Sequence, residues 1–207
     1  MFASLPPVTR AIIITNIGVF LLQQVAPTLF LGLFALWPID GDPQSLFEPW
    51  QLITYSFLHG GSLARFEITH IFFNMFALFM FGRPLEQFFG SRRFTIYYFV
   101  CVLSAATTEL IVLDATHGGT PVIGASGGVF GLLLAFAWYF PRTKLLLLFP
   151  PIPMPAWLFV TLYGVAELFF GVTGIEAGVA HFAHLGGMLG GALSILYWRY
   201  RGRFSGY

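Results

Sequence analysis

Charge is scarce in this chain. Only 9% of its 207 residues are Asp, Glu, Lys or Arg, while 57% are hydrophobic; soluble domains carry roughly 25% charged residues. The formal net charge is +1 and the basic residues form no dense tract, so the charge pattern gives no reason to expect nucleic-acid binding. The single cysteine, Cys101, excludes an intramolecular disulfide. Composition therefore predicts a polytopic membrane protein.

Six apolar segments occupy most of the sequence and predict an all-α membrane protein, a bundle of six transmembrane helices forming one domain over residues 1–207. The run from Ala11 to Leu36 contains no charge and no histidine. It starts too late and is too long for a cleaved secretory signal, so we expect a retained first span. The predicted spans, with boundaries uncertain by several residues, are 9–36, 67–83, 94–113, 125–140, 145–172 and 179–198.

A long loop, residues 37–66, separates the first two spans. It carries proline, glycine and acidic residues but is also rich in Trp, Phe and Leu. Such a loop could be partly sunk in the membrane interface, which Trp favours, or be solvated, and the sequence leaves both possibilities open. Of the ten basic residues, all except Arg65 fall on one side of the six-span arrangement. The positive-inside rule then places both termini in the cytoplasm and this loop outside.

Ser126 lies in the segment GASGGVFG, at the start of a short apolar stretch. From Ser126 to Phe140 a helix would rise about 22 Å, whereas the hydrocarbon core is about 30 Å thick. If Phe140 lies near the cytoplasmic interface, the fourth helix begins inside the membrane. The glycine-rich loop before it must then line a cavity rather than touch lipid. A hydroxyl in this position is either a helix-packing group or a nucleophile.

The sixth span opens with AHFAHLGGMLGG and offers a base for that hydroxyl. Its residues His184, Gly187 and Gly191 share one helical face. Small residues let helices approach closely in lipid, so packing against the fourth span would bring the His184 imidazole to Ser126, where it could take the hydroxyl proton. Because neither motif contains a carboxylate, a dyad is favoured over a triad. The glycines expected at this close helix contact are Gly124, Gly127, Gly128, Gly131, Gly187 and Gly191.

Acyl transfer also needs hydrogen-bond donors for the oxyanion that develops on the attacked carbonyl. His70 and Asn74, in HIFFNMFALF, are four residues apart on the second span and point the same way. Polar residues inside a span are functional candidates, because burying them in lipid is costly, although both could simply hydrogen-bond neighbouring spans. The backbone N–H of Ser126, at a helix N-terminus, is a third candidate donor.

Three motifs together resemble the rhomboid family of intramembrane serine proteases: HIFFN in the second span, GASG at the fourth and AHLGG in the sixth. Their order and depth make the match specific, and it covers nearly the whole chain. The segment GRPLEQFFGS after the second span is similar to the family's pattern there. Where the family often has Trp-Arg in the first outer loop, this chain has Trp50-Gln51, which puts any arginine-dependent contact in doubt. The chain resembles the minimal six-span form, without a further cytoplasmic domain or seventh span.

The resemblance implies a role for each motif residue. It also implies that Phe130, one turn after the serine, packs against the catalytic imidazole, and that the fifth span and the first outer loop flank substrate entry. The implied catalytic roles are the nucleophile for Ser126, the general base for His184, and an oxyanion site made of His70, Asn74 and the Ser126 amide.

The other histidines have simpler interpretations. We prefer His184 to His181 as the base because His184 carries the AHLGG pattern, and because His181 lies closer to the outer interface, where a solvated histidine needs no special role. His59 and His117 are expected to face solvent in outer loops. The sequence contains no HExxH motif and no paired intramembrane aspartates, so we expect no metal and no cofactor.

The leading hypothesis is an intramembrane serine endopeptidase that uses a Ser-His dyad to cleave transmembrane or juxtamembrane segments of other membrane proteins. Its partners would be those substrates and membrane lipid, and we expect a bacterial plasma membrane. Two alternatives are a catalytically silent relative that binds membrane proteins and a small transporter that uses Glu109 and Glu167. In the protease hypothesis these two carboxyls are protonated or hydrogen-bonded structural groups.

Overall fold

The structure is a computed structural model that describes residues 5–39, 46–62, 68–146, 151–175 and 179–202. It is mostly helical, and the only strands in these ranges form a short antiparallel hairpin, β1 (Lys144–Leu146) and β2 (Pro153–Pro155). The helices are α1 (Pro7–Val25), α2 (Pro27–Phe34), α3 (Gln51–Thr54), α4 (Thr69–Ala77), α5 (Arg83–Phe89), α6 (Ser91–Thr116), α7 (Ser126–Tyr139), α8 (Ala156–Thr173) and α9 (His181–Tyr200).

Several helices have the length and composition of membrane spans. Among the described residues, α1, α6 and α8 are long and apolar enough to cross a membrane. Helix α7 is apolar but has only 14 residues, so it rises about 21 Å, less than the roughly 30 Å of a hydrocarbon core. The chain is an integral membrane protein with a helical fold.

The first apolar segment is not one helix. The segment predicted as the first span, 9–36, is divided between two helices, because α1 ends at Val25 and α2 starts at Pro27. Between them Ala26 leaves the helical region, with φ −138° and ψ 63°. Proline inside a helix removes a donor and clashes with the carbonyl four residues earlier, whereas it fits at the first position of a new helix. Pro27 therefore divides the segment.

The helical segment at the predicted second span, 67–83, is longer than that prediction. Helical backbone runs from Thr69 to Phe89, with a π-helical turn at Leu78–Gly82 between α4 and α5. Pro84 accounts for the turn, since its ring cannot donate a hydrogen bond and would press on the carbonyl four residues earlier. The wider turn just before the proline relieves that contact.

The described residues at the start of the predicted fifth span, 145–172, are not helical. Leu145 and Leu146 belong to strand β1, Pro153–Pro155 forms strand β2, and α8 begins only at Ala156. The pairing is antiparallel, with Lys144 opposite Pro155. Prolines lack the N–H needed inside a helix but are tolerated on edge strands. The proline-rich sequence before Ala156 therefore favours a hairpin.

Helix α6 lies at the centre and packs against both α7 and α9. The contact of α7 with α9 is made by backbone: a Cβ built on Gly187 would overlap the Gly127 carbonyl, and a Cβ on Gly127 would overlap the Ala105 methyl of α6. Tyr97 of α6 donates its hydroxyl to the Gly131 carbonyl at 2.7 Å. Small residues thus hold these three helices at close range, as they do in other membrane bundles.

Other glycines of α9 make close contacts with α6, which the sequence did not predict. Cβ atoms built on Gly186 and Gly190 would lie 2.5 Å from Thr108 Oγ1 and Ser104 Cβ respectively. Ser104 donates its hydroxyl to the Gly186 carbonyl at 2.7 Å. Gly191, expected against α7, instead faces Tyr97 and Cys101 of α6. Glycines on two sides of α9 therefore allow its close contacts with α7 and with α6.

Main-chain bonds fix the loop that leads into α7. Leu36 and Val122 exchange two hydrogen bonds, of 3.0 and 2.9 Å, as an isolated antiparallel bridge. The Gly124 N–H donates to the Tyr55 carbonyl at 3.0 Å, and the Tyr55 hydroxyl reaches the Val102 carbonyl of α6 at 2.9 Å. The segment before Ser126 is therefore tied to both the first loop and the core.

Gln51, the departure from the family's Trp-Arg pair, is fully buried. Its Oε1 accepts the Trp37 N–H at 3.2 Å, and its Nε2 donates to the Leu46 carbonyl at 2.8 Å. The amide thus bridges two parts of the first loop with a neutral side chain.

Glu86, on α5, anchors the start of α1. Its carboxylate accepts the N–H groups of Val8 and Thr9 and the hydroxyls of Thr9 and Ser91, at 2.7–3.0 Å. The carboxylate therefore joins α1, α5 and α6.

Candidate active site

The structure brings Ser126 and His184 together. Ser126 is the first residue of α7 and His184 lies in the first turn of α9. The two helices approach closely because Gly127, the residue after Ser126, faces Gly187, which lies three residues after His184. As a result, His184 Nε2 lies 2.8 Å from Ser126 Oγ. This geometry allows an imidazole lone pair to accept the serine proton.

Phe130 lies flat on the His184 ring. The ring centroids are 4.2 Å apart and the planes differ by 6°. Phe130 follows Ser126 by four residues on α7, so both side chains point to the same side of that helix. The other face of Phe130 approaches Tyr163 of α8, with centroids 5.1 Å apart. The phenyl ring therefore restricts how the imidazole can turn.

His70 directs one ring nitrogen toward the serine. Its Nδ1 accepts the Gly60 N–H at 3.1 Å, so in a neutral ring the proton must be on Nε2. That Nε2 lies 3.0 Å from a Cβ built on Gly124, and Ser126 Oγ lies 3.7 Å from the same point. Gly124 has φ +128°, where a side chain would be strained. A glycine here keeps the space between His70 and Ser126 open.

This placement corrects the role expected for Gly124. It precedes α7 rather than belonging to it, and its neighbours are Ser126 and His70 of α4 rather than a residue of α9. The remaining α7 glycines do pack against other helices, Gly128 against Tyr98 and Gly131 against Cys101, both on α6.

Asn74 lies one turn after His70, and its side chain is buried. The Asn74 Nδ2 donates to the His70 carbonyl at 3.0 Å, which uses one of its two N–H bonds. The first-turn N–H groups of α7, including that of Ser126, have no intrahelical acceptor. Both groups keep donor capacity for a bound oxyanion.

Sequence reasoning missed the partner of the imidazole. Glu167, on α8, places Oε2 2.8 Å from His184 Nδ1 and 2.7 Å from His181 Nδ1. Neither the serine motif nor the histidine motif contains a carboxylate, and for that reason the sequence favoured a dyad over a triad. The sequence did contain a signal for this partner. An acid inside an apolar segment is costly unless it has a partner, and two histidines occur within one turn of the predicted sixth span.

The interpretation of His181 as a solvated group is wrong. Its side chain is buried and bonded to Glu167. Together Glu167, His181 and His184 offer three ligand atoms within 4.8 Å of one another, a set that could hold a metal ion. A metal would have to displace the two hydrogen bonds that the carboxylate makes to the rings.

His59 is also buried, not solvent-facing as expected. The Gln23 amide of α1 makes two hydrogen bonds to the His59 backbone, of 3.0 and 3.2 Å, and the His59 ring packs edge-on against His70. A glutamine within the first span needs such a partner, and that was the usable signal. His117 is exposed, as expected.

Replacing His181 by alanine tests which histidine acts. Because Glu167 keeps its bond to His184 in this variant, we expect a loss of turnover of no more than about tenfold, the lower range for an outer partner. The measurement is the cleavage rate of a model transmembrane substrate in detergent. A folded but inactive variant would contradict the assignment of His184.

Comparison with known proteins places this chain in a family. The model of the Rhomboid domain matches residues 46–201. Rhomboid protein 1, mitochondrial, of Saccharomyces cerevisiae is 33% identical over 138 residues, which cover 65% of this chain and 39% of the relative. Rhomboid protease GlpG of Klebsiella pneumoniae is 27% identical over 132 residues, 64% of this chain and 43% of the relative. GlpG of Serratia proteamaculans is 26% identical over 201 residues, 95% of this chain and 64% of the relative.

The chain thus spans about two fifths of the length of the first two of these relatives. The family match nevertheless runs from the first loop through the last described helix and includes α7 and α9. Since it extends over well more than half of the sequence, this chain belongs to the rhomboid family.

Proposed function

We propose that this protein is an intramembrane serine endopeptidase that cleaves transmembrane or juxtamembrane segments of other membrane proteins. The observation that carries the proposal is the 2.8 Å contact between Ser126 Oγ and His184 Nε2 at the start of a helix too short to span the bilayer. The rhomboid proteases among its relatives support the same activity.

The proposed reaction follows from the positions of the two groups. His184 Nε2 takes the proton of Ser126 as Oγ attacks the scissile carbonyl, and then gives it to the leaving amine. Water hydrolyses the resulting acyl-enzyme with the same imidazole as base. The donors proposed for the oxyanion are the His70 Nε2–H, the Asn74 amide and the Ser126 N–H.

The proposed topology has six spans in one domain, with both termini in the cytoplasm and Ser126 reached from the outer side. It is supported by the shortness of α7 and by the placement of nearly all basic residues on one side. The substrate's scissile bond must become extended, since a helix keeps its carbonyls in internal hydrogen bonds. We therefore propose substrates with helix-destabilising or small residues near the cleavage site, in a bacterial plasma membrane.

A fluorophosphonate probe tests the proposal without knowledge of the natural substrate. We expect the purified protein in detergent to be labelled at Ser126, as identified by mass spectrometry of the labelled peptide, because only an activated serine hydroxyl reacts readily. The companion assay is cleavage of a set of model transmembrane substrates. If the protein is not labelled and cleaves none of these substrates, the protease proposal is refuted and a silent relative is favoured.

Asn74 provides a test of the oxyanion site. Asn74→Ala is expected to lower kcat by about 10²–10³, the usual cost of one oxyanion donor, with a smaller effect on KM. Steady-state kinetics on the same substrate measure both constants. Asn16 is a matched control, since its buried amide likewise donates to the carbonyl four residues earlier, but on α1. If Asn74→Ala keeps the wild-type kcat, its amide has only a structural role.

A further inference from the structure

One carboxylate oxygen of Glu167 contacts two imidazole rings. Oε2 lies 2.7 Å from Nδ1 of His181 and 2.8 Å from Nδ1 of His184. The three residues are only 5–9% exposed, so water does not compete freely for these contacts. An ionised carboxylate can only accept hydrogen bonds. Both contacts are therefore hydrogen bonds when each ring carries a proton on Nδ1.

The contact with Glu167 determines what the other nitrogen of His184 can do. With the proton on Nδ1, Nε2 of the neutral ring has a lone pair, and that lone pair faces Ser126 Oγ at 2.8 Å. In the opposite tautomer the Nδ1 lone pair would face the carboxylate and Nε2–H would face the hydroxyl. That arrangement is repulsive on one side and cannot accept the serine proton on the other.

We propose that Glu167 is a positioning residue for His184, so that Ser126, His184 and Glu167 act as a three-residue unit built from α7, α9 and α8. The inference rests on the proposed protease function and extends it. Glu167 holds the imidazole in the tautomer that accepts the Ser126 proton. It also stabilises the imidazolium formed when that proton is transferred, as a buried carboxylate does in serine proteases of other folds.

The position of Glu167 on its helix supports this role. Helix α8 lies at the periphery, with only Ala156, Val160 and Glu167 buried, and the last of these is the polar member of the set. A carboxylate is costly inside a membrane domain and persists where it has partners. His181 and His184 are three residues apart on α9, so both rings reach the same oxygen.

The rival explanation is that Glu167 only tethers α8 to α9. Both explanations predict some loss of stability when the carboxylate is removed, so stability cannot separate them. Both roles also need the proton on Nδ1 of His184, because the ionised carboxylate can only accept a hydrogen bond. The effects on kcat and KM separate them, since positioning of the base acts on the chemical step and a tether does not.

The experiment uses the full chain in detergent micelles with EDTA present, so that a metal bound by the same three side chains does not contribute. Glu167→Gln keeps the shape and removes the charge, and Glu167→Asp keeps the charge but shortens the side chain. Glu86→Gln is the matched control, because Glu86 is another buried carboxyl, hydrogen-bonded to Thr9 and Ser91 rather than to a histidine. Histidine labelled with ¹⁵N reports the tautomer of each of the five histidines.

We expect wild-type His184 to carry its proton on Nδ1, and Glu167→Gln to lose that preference. The kcat of Glu167→Gln should fall by about 10²–10⁴, in the range seen for the equivalent acid elsewhere, with KM changed much less. Glu167→Asp should lose less activity than Glu167→Gln. Glu86→Gln should keep both the wild-type tautomer of His184 and most of the cleavage activity.

Two results would overturn the inference: a wild-type His184 protonated on Nε2, or a Glu167→Gln variant with the wild-type tautomer and kcat. The first of these results would overturn it even if the variants do not fold. Failure of the protease proposal is distinguishable, since it would appear as a wild-type protein that neither labels at Ser126 nor cleaves, whatever its tautomer.

Discussion

Ser126→Ala is expected to reduce substrate cleavage by at least about 10⁴-fold and to abolish fluorophosphonate labelling. Alanine removes the atom that would form the acyl bond, while the packing of α7 on α6 and α9 depends on glycines and not on the hydroxyl. His184→Ala should have a comparable effect on cleavage, because nucleophile and base act as a unit. Cleavage in detergent and thermal unfolding of both variants are the measurements.

The control for this prediction is Ser194→Ala. Ser194 lies on α9, where its hydroxyl donates to the Gly190 carbonyl, and it takes no part in the candidate site. It should label and cleave like the wild type. A folded Ser126→Ala protein that still cleaves the substrate would remove Ser126 from the mechanism and with it the protease proposal.

Gly187→Ala is expected to have the largest effect on stability. The added methyl would overlap the Gly127 carbonyl, a backbone atom that cannot rotate away, so α9 and α7 must separate. Overpacking of this kind costs about 1–3 kcal/mol or more, against a gain of about 1 kcal/mol from the better helix propensity of alanine. Because separation of the helices also moves His184 from Ser126, cleavage should fall together with the melting temperature.

Gly18→Ala is the matched control. Gly18 is also inside a helix, α1, but a Cβ built there meets nothing within 4 Å. Its melting temperature should equal or exceed that of the wild type. A Gly187→Ala protein as stable and as active as Gly18→Ala would show that the α7–α9 contact is not tight.

The residues within the two best-marked motifs were accessible to sequence reasoning because helix periodicity relates them. The spacing of His184 and Gly187 places them on one face. The stacking of Phe130 on the imidazole followed from the family resemblance instead. Glu167 was not accessible in this way. It lies on a different helix, and sequence periodicity does not state how α8 rotates about its axis relative to α9.

The differences between the predicted spans and the observed helices have a common physical origin in proline. Hydropathy averages over a window and registers Pro27, Pro84 and the prolines before Ala156 as mildly polar residues. Their actual effect is to remove hydrogen-bond donors, which divides the first segment, widens a turn in the second and replaces the start of the fifth by a hairpin. Burial of His59 and His181 was missed because loop and helix-end residues find their partners through tertiary contacts.

The bridge between Leu36 and Val122 joins main-chain atoms only. Bonds of this kind do not depend on the side chain, so substitutions at the partly buried Val122 can accumulate without moving the peptide before Ser126, whereas Leu36 is fully buried and must also fit the core. The position of the Ser126 hydroxyl is thus insulated from much of the sequence drift in its own loop. Gly124 is the exception, because its φ of +128° favours glycine.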